Sequence, residues 1–329
     1  MNQKESRFLG ILFGAALLLL IVGSFADLSI GRALFDQNSI YGNIFQAYMM
    51  FPQALIPFIA GASVFHYGLK HEHPLGKAVM TISGAGFGYW SIWQGVDIWM
   101  SYTTSSLDNI KNHKPLGAAG NGSGEQVVYS FGLEALITLL LTLIGLGITY
   151  RWLANKTTEE FKYLLMVSVV AVAFIYLSES IVDISKANWG RWRPYEVTEV
   201  VNGSKGHFTD WWVINGKNGH RSFPSGHTIA GAAALFLPFY VDRKNIKLQE
   251  ILAYAGLIFA FLMAFGRIRI GAHWMTDTMM SILIAGLTSL LLTKMMGLSF
   301  IEKAEKEMNM DMEMSKDMKS DMKKGMMKA

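Results

Sequence analysis

Residues 130–152 read SFGLEALITLLLTLIGLGITYRW. From Ala135 to Tyr150 no charged side chain interrupts the run, and apolar residues fall on every face of a 3.6-residue helix rather than on one stripe. A bilayer's hydrocarbon core is about 30 Å thick and takes about 20 mainly apolar residues of helix to cross. The stretch therefore reads as a membrane span. Seven further windows of this kind lie at 8–26, 53–69, 78–100, 161–184, 227–242, 249–266 and 277–297. Together they predict an all-α, polytopic transmembrane helical bundle of about eight spans. The window at 227–242 is short and meets Pro238 near its end, which predicts a tilted, extended or partly spanning segment.

Composition agrees with that reading. Of 329 residues, 51% are hydrophobic and 16% charged, against about 25% charged in soluble domains. Residues 302–329 alone hold seven Lys and seven Asp or Glu, so the preceding chain is sparser still. Net charge is +4, and no dense Lys/Arg block with interleaved aromatics occurs, which excludes a nucleic-acid partner. The chain has no Cys, which excludes disulfides, Cys-type zinc sites, iron–sulfur clusters and thiol nucleophiles. Any nucleophile is another residue type.

Loop charges give an orientation, because cytoplasmic loops collect Lys and Arg. Lys4 and Arg7, Lys70 and Lys77, Arg151, Lys156 and Lys162, and Arg243, Lys244 and Lys247 fall at one set of ends, with the Lys-containing tail. That side is predicted to be cytoplasmic, both termini included, provided all eight windows cross. Lys4 and Arg7 ahead of the first window, and Ser24-Phe25-Ala26-Asp27 at its end, fit a retained signal anchor or a cleaved signal peptide; the long apolar run favours the anchor. Leu28–Phe51, with Phe35, Tyr41, Phe45 and Tyr48, reads as an interfacial amphipathic segment. The glycine-rich 117–124 reads as a flexible outer loop. The expected division is N-terminal helices at 1–160, a helical core at 161–298 and a solvated, Met- and charge-rich cytoplasmic tail at 299–329.

Three segments carry the chemistry. Lys186-Ala187-Asn188-Trp189-Gly190-Arg191-Trp192-Arg193-Pro194 follows the fifth window; alone, it serves equally as a juxtamembrane anchor. Arg221-Ser222-Phe223-Pro224-Ser225-Gly226-His227-Thr228 opens the sixth, where backbone N–H groups at a helix start favour a phosphate oxygen; an ordinary N-cap has the same composition. Gly266 to Asp277 joins the seventh and eighth. His273 and Asp277 stand four residues apart, so on a helix they share a face and the carboxylate can hold one imidazole nitrogen protonated. All three segments fall at the same membrane face, which random placement would not produce. Glu179 and Asp183, one turn apart ahead of Lys186, are placed to pair with the basic cluster, whereas Glu134 reads as solvated near a helix end. Gly84, Gly86 and Gly88 read as close-packing positions.

Lys186, six residues, then Arg193-Pro194; Pro224-Ser225-Gly226-His227; and Arg267, five residues, His273, three residues, Asp277 together resemble the three-part signature of the type 2 phosphatidic acid phosphatase family. The likeness covers residues 186–277. One position departs from it: the family usually has Ser before the third-motif arginine, and this chain has Gly266, so a hydroxyl contact to phosphate is expected to be missing.

The resemblance implies a catalytic core in the C-terminal half, of the kind shared with vanadate-dependent haloperoxidases. It also implies a metal-independent lipid phosphatase acting at the extracytoplasmic face, with no cofactor. Lys186, Arg193 and Arg267 would neutralise the phosphoryl oxygens, and Ser225 and the Gly226 N–H would add neutral donors. His273, held by Asp277, would form a phosphohistidine, and His227 would protonate the leaving group. The substrate is expected to be a lipid phosphate or diphosphate in the bilayer, its site covered by the Tyr195–Arg221 loop with His207, Phe208, Trp211 and Trp212, the tryptophans serving equally as interface anchors. Two rivals are a phosphotransferase using the same site and a non-catalytic lipid transporter or scramblase. The latter needs neither histidine, and the repeat symmetry typical of transporters is missing from the chain.

Overall fold

The structure, a computed structural model, describes residues 1–118 and 128–303. The expected flexible loop falls mostly outside the described residues, as does the tail from 304 onward. The described chain is helical: α1 (Gln3–Leu34), α2 (Ile40–Ala47), α3 (Phe51–Lys70), α4 (Pro74–Lys111), α5 (Phe131–Ala154), α6 (Thr158–Trp189), α7 (Gly226–Ala232), α8 (Ile246–Arg269) and α9 (Met275–Met295). Local chemistry sets their ends. Asn2 and Ser130 accept hydrogen bonds from the first turns of α1 and α5, and Thr157 and Glu160 form a reciprocal capping box on α6. Proline occupies the first turns of α3 and α4, where its missing N–H costs nothing.

Among the described residues, six segments are long and apolar enough to cross a membrane: Gln3–Leu34, Ile40–Lys70, Phe131–Ala154, Thr158–Glu196, Ile246–Arg269 and Met275–Met295. The protein is a multi-pass integral membrane protein. The other two expected windows take different forms. Window 78–100 lies inside the 38-residue α4, which is long enough but falls outside those six. Window 227–242 is α7, seven residues, running on into a 3₁₀ stretch at Ala233–Tyr240, eight residues. A 3₁₀ helix rises about 2.0 Å per residue against about 1.5 Å for an α-helix, so this short segment still extends about 26 Å. Protein encloses it on all sides, between α3, α6, α8 and α9. Ile229, Ala232, Leu235 and Phe236 are buried, and the segment is the axis of the bundle.

The main core joins Phe8, Leu12 and Ala16 of α1 to Val167 and Phe174 of α6, Ala260 of α8 and Ile282 of α9. Thus α1 packs with the helices after residue 160, across the division expected from the sequence. Helices α3 and α4 form a close pair beside this core. A Cβ on Gly84 would come within 2.4 Å of Phe65 N, and one on Gly88 would touch Phe58, whereas Gly86 faces open space. Glu134 is not solvated: at the first turn of α5, near the positive end of the helix dipole, it is 5% exposed.

The two ends of the bundle are pinned separately. At one end Lys4 pairs with Glu250 at 2.7 Å, Glu5 with Lys294 at 3.0 Å and Arg243 with Glu302 at 2.8 Å. At the other, Arg269 reaches Asp36 at 2.9 Å and Gly117 N donates to Gln37 O at 2.8 Å. Here the stretch read as interfacial resolves into two parts. α1 continues to Leu34, and α2 docks on α8 through Gly42, Gln46 and Ala47, leaving Ile40 and Ile44 exposed.

Candidate active site

All three sequence segments meet at this second end. α6 carries Lys186 in its last turn and stops at Gly190, whose φ of +58° is a left-handed cap that any Cβ would strain. A Cβ there would also lie 2.1 Å from Gly216 O, so the following loop closes directly onto the helix end.

Beyond the cap, Arg191 turns inward and is fully buried. Its Nη1 donates to Asp277 Oδ1 at 2.5 Å and Thr276 Oγ1 at 2.8 Å, its Nη2 to Asp27 Oδ2 at 3.0 Å, and its Nε to Thr209 O at 2.9 Å. Phe208 and Trp274 stack on its guanidinium. Arg191 is therefore a strut joining α1, the loop and α9. Arg193 instead donates to Tyr195 Oη at 2.9 Å.

His273 sits in the α8–α9 junction, 1% exposed. Its Nδ1 lies 2.6 Å from the Ser222 carbonyl oxygen. A carbonyl only accepts, so this contact assigns the proton to Nδ1 and leaves the Nε2 lone pair available. Asp277 Oδ2 stands within ion-pair reach of Nδ1, at the longer distance of 3.7 Å. That oxygen also accepts from Ser222 Oγ at 2.5 Å and Trp274 N at 2.9 Å. The carboxylate thus acts on the imidazole both directly and through Ser222. Burial lowers the His273 pKa to about 3; the nearby Asp277 works against this, and Arg267 and Arg193 reinforce it. The ring is neutral at physiological pH.

His227 is the second residue of α7, with Nε2 3.2 Å from Tyr102 Oη of α4. Lys186, Gly226 and His227 line one cavity of about 230 Å³ together with Gln53 and Glu179. A Cβ on Gly226 would stand 3.1 Å from Lys186 Nζ, so the missing side chain keeps the ammonium beside the helix start. Ser225 has a second role beside the expected one. It is fully buried, and its Oγ accepts from Thr228 N at 3.3 Å and Thr228 Oγ1 at 2.9 Å, which makes it the cap of α7.

Arg267, 1% exposed, donates through Nη1 to Gln46 Oε1 at 2.6 Å. Gly266 accounts for that contact. A Cβ there would meet Phe45 Cβ at 3.0 Å, and a Cβ on Gly42 would meet Ile270 at 2.5 Å. The two glycines let α2 lie against α8 and bring Gln46 to the arginine.

Within the covering loop, Trp211 turns inward, donating to Ser24 Oγ at 2.8 Å, and Trp212 is 51% exposed. Asp183 pairs with Arg221 at 3.0 Å, and Glu179 accepts from Gln53, so neither carboxylate is paired with Lys186. Sequence reasoning did not anticipate Asp27, Gln46, Tyr102 or the buried role of Arg191. Their only sequence signal is polarity inside or beside an apolar window.

The comparisons with curated proteins and with solved structures return no match. Residues 163–300 match the family described as the PAP2 superfamily. Residues 163–300, from the start of α6 to just past the end of α9, are thus similar to the PAP2 superfamily, whose members are generally phosphatases.

Proposed function

We propose that this protein hydrolyses a lipid phosphate through a phosphohistidine on His273, at the extracytoplasmic face. The observation that carries the proposal is the state of His273. A buried, neutral imidazole with Nδ1–H locked on Ser222 O presents a lone pair at Nε2. Attack by Nε2 on phosphorus breaks the bond to the lipid oxygen. His227 gives the departing alkoxide a proton, then takes one from a water molecule that attacks the phosphohistidine. The N–P bond breaks, inorganic phosphate leaves and His273 returns to its starting form.

Lys186, Arg193 and Arg267 stabilise the charge on the three non-bridging oxygens, with the N–H groups at the start of α7 as neutral donors. Asp277 positions the imidazole, both directly and through Ser222. The bundle end opposite the site carries Lys4, Lys70, Lys77, Arg151, Lys156 and Arg243, which supports a cytoplasmic placement for both termini.

Phosphate release from a panel of lipid mono- and diphosphates in detergent tests the proposal. Wild-type protein releases phosphate, and His273→Ala and His227→Ala lose about a thousandfold or more of that rate. A base-stable, acid-labile phosphoenzyme forms with wild type and not with His273→Ala. Wild-type turnover by His273→Ala overturns the mechanism.

A further inference from the structure

Helices α3 and α6, closed by α7 above and α4 below, line a crevice that continues from the site along the bundle. Its upper part is the cavity holding Lys186, Gly226 and His227. Gln53 and Glu179 line that cavity and also a second one below it, of about 130 Å³, shared with Trp90, Gln94 and Tyr176. Trp90 and Tyr176 stack across this lower part with centroids 6.4 Å apart. From Lys186 to Glu179 is seven residues of α6, two turns or about 10 Å along the axis.

The polar groups at the junction are unbalanced. Gln53 donates through Nε2 to Glu179 Oε1, while Gln53 Oε1 is buried with no hydrogen-bond partner. Glu179 makes no ion pair among the described residues. A carboxylate residue and an amide residue thus line one cavity at membrane depth, joined by a single N–H donor and with the amide carbonyl buried unpaired. Acceptors in such a place are retained at a cost unless something donates to them.

We infer that the crevice selects lipid phosphates bearing a hydrogen-bond donor, an ammonium or hydroxyl, a few bonds from the phosphate. Long-chain amino-alcohol phosphates are the matching class; polyprenyl and diacylglycerol phosphates, which lack the donor, do not match. This rests on the phosphatase reading of the site. With the phosphate between Lys186 and His227, the next few atoms of the lipid descend past Gln53 and Glu179. The ammonium neutralises the Glu179 carboxylate, and a hydroxyl donates to Gln53 Oε1. The hydrocarbon chain then leaves past Trp90 and Tyr176.

The test compares 2-amino-3-hydroxyoctadecyl phosphate with octadecyl phosphate, of equal chain length, as substrates in detergent. Dissociation constants of the two corresponding phosphonates are measured alongside. Wild type prefers the amino alcohol by about tenfold or more in both kcat/KM and Kd. Glu179→Leu and Gln53→Leu bring the ratio toward one, and Glu179→Gln removes the ammonium share of it. A wild-type ratio near one overturns the inference, as does a ratio that survives both leucine variants. A purely structural role lowers both substrates together and leaves the ratio intact, which also overturns it. Should no lipid release phosphate, the phosphatase reading fails on its own, and the phosphonate ratio still decides the crevice.

Discussion

Gln46 and Arg267 stand 221 residues apart in the chain and meet at 2.6 Å, both almost fully buried, α2 supplying the acceptor to the third-motif arginine. Gln46 lies outside the residues matched to the family. Gln46→Leu removes the acceptor and lets the guanidinium drift, an effect of about 1–3 kcal/mol for a hydrogen bond to a charged group. Expected is a rise of about five- to a hundredfold in KM and in the inhibition constant for inorganic phosphate, accompanied by a lower melting temperature because the buried guanidinium loses this acceptor. Gln46→Glu keeps the contact and sets a negative charge beside the anion, so it also weakens phosphate inhibition. Unaltered phosphate inhibition in both variants removes Gln46 from the site.

Gly266→Ser installs the residue that the resembling family usually carries, and it is expected to lower activity. The new Cβ meets Phe45 Cβ at 3.0 Å, where a helix backbone and not a flexible tip has to move. Overpacking of this kind costs about 1–3 kcal/mol. The contact displaces α2 and with it Gln46. Reduced thermal stability and reduced phosphate release, measured together in detergent, are the expected result; a gain in activity contradicts it.

Arg191 holds Asp27 and Asp277 at once, with no exposure to solvent. Arg191→Leu leaves two buried carboxylates without their cation, and breaking such a pair costs about 3–5 kcal/mol. Asp27→Asn keeps the shape and most of the hydrogen bonding and should cost less. Melting curves of the three proteins in detergent should therefore rank wild type, Asp27→Asn, Arg191→Leu, from most to least stable. Equal stability of Arg191→Leu and wild type refutes the strut.

Protonation of His273 should fall at about pH 3, because burial opposes the imidazolium. In protein labelled with ¹⁵N-histidine, the resonances lost in His273→Asn should keep neutral-ring shifts from pH 7.5 down to pH 5, with Nδ1 as the protonated nitrogen. The sign for stability follows. The folded pKa is depressed below the unfolded value, so this residue's contribution is complete above about pH 6.5 and lost as pH falls toward 3. A midpoint near 6.5 refutes the buried, neutral assignment.

The apolar runs made the helices legible, because a bilayer imposes length and composition on each span independently of its neighbours. The 186–277 motif residues stood out for a different reason: cations and imidazoles are rare in a region that otherwise excludes them, and here three such segments share one end of the bundle. What was hidden depends on three-dimensional contact. The enclosed segment at 226–240 reaches across much of the bundle by 3₁₀ geometry, which no window of hydropathy registers. The residue holding the His273 proton is a backbone carbonyl, that of Ser222, and backbone atoms leave no trace in side-chain spacing. Gln46 and Asp27 look like stray polar residues until α2 and α1 are packed against α8 and α9.

Asp27 has one more implication, for protein engineering. Its carboxylate accepts from Thr276 and Arg191, so α1 is wired into the turn that presents His273. A chimera that grafts residues 163–300 onto a front half with no carboxylate at the Asp27 position inherits a guanidinium built for two carboxylates and receives only one. Transplants of residues 163–300 should carry Asp27 and Gln46 with them, and a donor boundary drawn at α6 severs both.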